Sequence, residues 1–125
     1  MITNPRIVKI HPNAKVEFVT DHIFKVYAIE RYTVKKNSSL IIPMGIRTEL
    51  PINTYVQYIN VSERVYPHEV YIHPAMIYSF QHVASEDYTI LKNDSDKDYT
   101  IEMGEVLICG IILQAKFKKP KVVSL

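Results

Sequence analysis

Residues 39–51 read SLIIPMGIRTELP, and the fold is legible from them. Two runs rich in β-branched and long apolar residues, 39–42 and 46–50, flank Pro43-Met44-Gly45. Pro43 fixes one φ and removes a donor, while Gly45 tolerates φ > 0, so the three residues form a tight turn between two strands. Working outward, the same texture recurs at 15–18, 23–28, 55–61, 69–72, 77–80, 87–92, 98–101 and 106–114. Turn signals separate these runs: His11-Pro12-Asn13, Lys36-Asn37-Ser38, Pro51-Ile52-Asn53, Tyr66-Pro67-His68, His73-Pro74, Asn93-Asp94-Ser95-Asp96 and Met103-Gly104. Short strands at this spacing predict an all-β sandwich, jelly roll or barrel, with at most one helical turn near 62–65.

Composition sets the outer bounds. With 47% apolar and 22% charged residues, the chain has the balance of a globular protein, and its 125 residues suffice for one core. Residues 1–125 are therefore expected to form a single domain, with 116–125 as a basic C-terminal tail. A net charge of +2 without a dense Lys/Arg stripe gives no reason to expect nucleic acid. The lone cysteine, Cys109, lies in the most apolar run and reads as a buried, inert thiol. With no signal-peptide pattern and no apolar run long enough to span a bilayer, the expectation is an intracellular, reducing setting, the cytoplasm or nucleus of a host cell, with no membrane contact.

The order of these pieces carries a resemblance. Phe24 to Ala28, Tyr32 to Val34, Ser39 to Ile46 and Glu49-Leu50-Pro51 are followed by Tyr88 to Asn93 with Ser95-Asp96, and by Gly104-Glu105 leading into 106–113. Together they resemble the dUTPase-like superfamily, which implies a β-clip or jelly-roll-like barrel of short, mainly antiparallel strands. It also implies a homotrimer, because active sites in that superfamily lie between subunits.

Against that resemblance, the positions expected to carry catalysis are changed. Lys25 stands where it implies an Asp beside phosphates and metal, a reversal of charge. Asn60-Val61-Ser62-Glu63 stands for Pro-Arg-Ser-Gly, Val106-Leu107-Ile108-Cys109 for Arg-Ile-Ala-Gln, and 76–85 holds no carboxylate where a water-orienting Asp is implied. The expectation is a non-catalytic, dUTPase-like interaction or regulatory module, similar to dUTPase-derived adenoviral early-region-4 proteins, viral in origin, with no catalytic residues, no metal and no cofactor. The alternative is a nucleotide-binding or atypical nucleotide-hydrolysing dUTPase relative that uses Lys25, Ser62, Arg64 and His82 as replacement pocket residues.

For a protein partner, the interface-type residues Tyr66, His68 and Tyr71 and the apolar end Val123-Ser124-Leu125 are the candidates. His11, His22, His68 and His73 show no metal-ligand spacing. Asp94, Asp96 and Asp98 alternate like a calcium loop but lack its Gly and Glu, and read as a solvated hairpin tip.

Overall fold

The computed structural model describes residues 4–59, 69–73, 75–78, 86–114 and 119–125, with 73 and 75–78 in backbone only. Twelve strands follow one another among these residues: β1 (Arg6–Lys9), β2 (Val16–Phe18), β3 (Ile23–Tyr27), β4 (Tyr32–Val34), β5 (Ser38–Pro43), β6 (Ile46–Glu49), β7 (Thr54–Ile59), β8 (Val70–His73), β9 (Ala75–Tyr78), β10 (Tyr88–Asn93), β11 (Tyr99–Ile101) and β12 (Val106–Gln114). Every pairing is antiparallel. The largest sheet has the order β2-β3-β12-β7-β9, a second runs β5-β10-β8, and the pairs β1-β6 and β11-β4 account for the other described strands. The all-β architecture expected from the sequence is present.

The strand edges agree with the pattern to within a residue or two where they are described. The short β1 was not expected, because Arg6-Ile7-Val8-Lys9 shows too little alternation to be read as a strand. Its partner is β6, where Arg6 Nε donates to Glu49 Oε1 at 2.6 Å and Arg47 Nη2 lies 3.1 Å from Glu49 Oε2. The helical turn expected near 62–65 lies outside the described residues.

Alternation decides what is buried. In β3, Phe24 and Val26 face inward; in β7, Val56 and Tyr58 do; in β10, Thr89, Leu91 and Asn93 do. Phe24, Val26, Val56, Tyr58 and Leu91 join Val34, Ile42, Met44, Ile46, Ile101, Leu107 and Ile108 in one continuous core. Turn chemistry matches the sequence at the Pro43-Met44-Gly45 corner, where Gly45 takes φ 72° and its N–H donates to Glu86 Oε2 at 2.8 Å. Asn37 (φ 53°) and Asn53 (φ 62°) supply the left-handed residues of two further turns, as asparagine does most readily after glycine. The turn after β10 is not the expected hairpin tip, because it carries the chain to β11 in a different sheet; there buried Asn93 donates to the carbonyls of Val34 (3.0 Å) and Lys97 (2.7 Å) and accepts from Ser95 N (3.0 Å). The carboxylates there diverge: Asp94 accepts from Tyr71 and Asp98 from the Lys36 N–H.

The β1–β6 clamp has a pH consequence. The Arg6 guanidinium, aided by Arg47 and opposed by desolvation, holds the Glu49 carboxyl below its ordinary 4.5. A carboxyl depressed in the folded state stabilises above its unfolded pKa, and that contribution disappears as pH falls through the folded value. Acid should therefore loosen β1, and Glu49→Gln should flatten the part of the urea-midpoint curve that falls below about pH 4. An unchanged acid limb in the variant would show that the clamp contributes nothing.

Candidate functional site

The five-stranded sheet presents two adjacent rows of side chains on opposite faces. Cross-strand partners share a face, so the register Glu17↔Lys25, Lys25↔Cys109 and Cys109↔Ile59 defines an outer row across β2, β3, β12 and β7. Directly behind it, Phe18↔Phe24, Phe24↔Gly110 and Gly110↔Tyr58 define an inner row. Each outer-row residue is the chain neighbour of an inner-row residue.

The inner row is packed around an absence of side chain. A Cβ on Gly110 would stand 2.3 Å from Phe24 Cζ, so the ring lies flat against the β12 backbone. Phe24 meets Phe18 at 5.5 Å between ring centroids and Tyr58 at 6.1 Å, the latter edge-on at 88°. The Tyr58 hydroxyl donates to Asp87 Oδ2 at 2.7 Å, and Thr48 Oγ1 donates to the same oxygen at 2.8 Å. All three polar residues are buried.

The outer row is charged at one end. Lys25, with its side chain 14% exposed, lies 3.3 Å from Glu17 Oε1, which also accepts from the Tyr27 hydroxyl at 3.2 Å. The hydrogen bond from Lys25, then that from Tyr27, holds the Glu17 carboxyl below its usual range. Lys15 Nζ sits 4.3 Å over the Tyr27 ring. The result is a partly screened ammonium beside a thiol on a sheet face, a placement suited to gripping an anion.

Among the residues singled out from the sequence, Lys25 lies on β3 with Cys109 of β12 as its cross-strand partner, the two coming from the first and last stretches of the resemblance. Ser62, Arg64, His82, Tyr66 and His68 lie outside the described residues. Tyr71 is on the β5-β10-β8 sheet, its hydroxyl donating to Asp94 Oδ2 at 2.8 Å. Val123, Ser124 and Leu125 are solvent-exposed, Val123 to 77%. Sequence reasoning missed the Asp87–Tyr58–Thr48 cluster; its signal was parity, since Asp87 shares the inward phase of Leu91 in β10, Tyr58 that of Val56, and Thr48 that of Ile46.

The fold defined by these sheets is that of the dUTPases. A mutant dUTPase from phage phi11 of Staphylococcus aureus, described with a structural Mg(II) ion, superimposes with a TM-score of 0.78 over 98% of each chain at 13% identity. A mutant dUTPase of Staphylococcus bacteriophage 80alpha with dUpNHpp gives 0.77 over 99% of this chain and 90% of that one, at 15% identity. In sequence, the chain is similar to the deoxyuridine 5'-triphosphate nucleotidohydrolases of Helicobacter pylori strains P12 and HPAG1, each 29% identical over 115 residues, covering 86% of this chain and 76% of theirs. No protein-family model matches.

These findings overturn the expectation of a non-catalytic interaction module and of a non-enzyme. The relatives that match across most of the chain are nucleotidohydrolases, and a structural neighbour is seen with dUpNHpp. The expectation rested on pairing residues one by one through 60–63 and 76–85, where a slide of one or two positions changes which side chain stands for which. Similarity spread over the whole scaffold is not exposed to that error. Among the described residues, no helix is long and apolar enough to cross a membrane.

Proposed function

We propose that this chain is a deoxyuridine triphosphate nucleotidohydrolase that splits the α–β phosphoanhydride to release pyrophosphate. The observation that carries the reading is its similarity over 115 residues to enzymes of that name. Lys25 is assigned to the phosphates: a partly desolvated ammonium forms charge-assisted hydrogen bonds to phosphate oxygens, and substrate would draw it from Glu17. Ser62 and Arg64 are assigned to further phosphate contacts and His82 to taking the proton from the attacking water, since an imidazole is protonated and deprotonated near neutral pH.

The described residues do not fit a bound Mg²⁺. A divalent ion needs oxygen ligands, whereas an ammonium stands at Lys25, and no group of three or more His, Cys, Asp or Glu with metal-holding geometry occurs among the described residues.

Self-association follows the same reading. Ile23, Tyr55, Ile111 and Leu113 are half-buried on the outer face of the five-stranded sheet, with Ile59 exposed beside them. This apolar face supports a homotrimer in which neighbouring copies cover it.

The test is direct. Deoxyuridine triphosphate at 100 times its Kd should raise stability by about 2.7 kcal/mol. Pyrophosphate should be released, and Lys25→Ala should weaken binding by roughly tenfold or more, as expected for a lost charge-assisted hydrogen bond. A thermal-shift series giving no shift, together with no pyrophosphate, with and without added Mg²⁺, would end the proposal.

A further inference from the structure

We infer that Asp87 is a positioning residue for the Lys25 row, acting on the outer sheet face through Tyr58 and Phe24. Its relevance to a nucleotide site rests on the function proposed above; the mechanical claim does not. Asp87 is 2% exposed, just ahead of β10. Its backbone is tied to the β5–β6 corner, its N–H donating to Ile46 O at 2.8 Å and its carbonyl accepting from Met44 N at 2.9 Å. Its carboxylate reaches out of that fixed frame to Thr48 on β6 and Tyr58 on β7.

The bond to Tyr58 is directional and of one sense. Burial, with the Asp87 charge, pushes the phenol well above its ordinary pKa of 10, so it stays protonated and donates. A phenol held at 2.7 Å has one depth in the core, whereas an apolar contact would leave it free to slide. That depth is transmitted sideways. Tyr58 is edge-on to Phe24, and Phe24 is pressed against Gly110 with no room to yield. Tyr58, Phe24 and Gly110 are the chain neighbours of Ile59, Lys25 and Cys109, so the inner row sets the position of the outer one.

The single cysteine is a built-in reporter, because an aromatic disulfide reagent can label only Cys109, which is 8% exposed. Tyr58→Phe and Asp87→Asn are compared with Ile101→Val, a fully buried change in β11, all well below their melting midpoints. Labelling should accelerate by about tenfold in Tyr58→Phe, the size expected for losing one hydrogen bond to a charged acceptor, and by a smaller factor in Asp87→Asn, whose amide oxygen still accepts but without the charge, with the control near wild type. The Kd for deoxyuridine triphosphate should weaken in the same two variants and not in the control. Equal labelling rates in all four proteins, or equal acceleration in the control, would overturn the inference. Wild-type protein that binds no nucleotide would sink the proposed function instead, and the labelling comparison would still decide the role of Asp87.

Discussion

Gly110→Ala is expected to destabilise the protein by about 3 kcal/mol, as a lowering of the melting midpoint by roughly 10 °C. The added Cβ would lie 2.3 Å from Phe24 Cζ and less than 3 Å from both Phe24 Cε atoms, distances that real Cβ contacts do not show. The ring has no free space to swing into, because it is itself wholly buried and the fully buried Tyr58 stands edge-on against it. Relief requires β12 to part from β3 or the aromatic cluster to repack, and both disturb the centre of the largest sheet. A double-mutant cycle identifies the cause: in a Phe24→Leu background the alanine should add under about 1 kcal/mol, since the clashing atoms are gone. An undiminished penalty there would place the strain in the β12 backbone and not in the ring.

Asp87→Ala should lower stability by a comparable amount, about 3 kcal/mol, measured by urea unfolding. The change removes the acceptor of the Tyr58 and Thr48 hydroxyls together, and both residues are almost fully buried. A buried hydroxyl left without its partner loses its solvation and gains nothing in exchange. Replacing all three members by apolar residues of similar shape (Asp87→Leu, Tyr58→Phe, Thr48→Val) should recover most of the loss, because neither hydroxyl is then left without its acceptor. Should the triple variant be as unstable as the single one, packing volume and not hydrogen bonding would dominate the energetics of this cluster.

The two rows show how far the amino-acid string could be read. Pro43-Met44-Gly45 announced its turn because the conformational limits of proline and glycine are local. The strands containing Phe24 and Val26, or Val56 and Tyr58, announced themselves through a period of two. The first strand escaped because Arg6-Ile7-Val8-Lys9 is four residues long with a cation at each end, and what holds it is pairing with β6, including Glu49, distant in the chain. Function was misjudged for a related reason: losses were assigned position by position in 60–63 and 76–85, while the information lay in likeness distributed over 115 residues.

Element type, turn positions and the inward phase of each strand were thus written locally, in side-chain alternation and backbone permissiveness. Which Lys meets which Cys was not, because cross-strand neighbours depend on register, and register is set by the whole sheet closing on its core. Lys25 beside Cys109, Phe24 against Gly110 and Asp87 under Tyr58 exist only once β3, β7, β10 and β12 are aligned to the residue. A slip of one position would send each of these side chains to the opposite face.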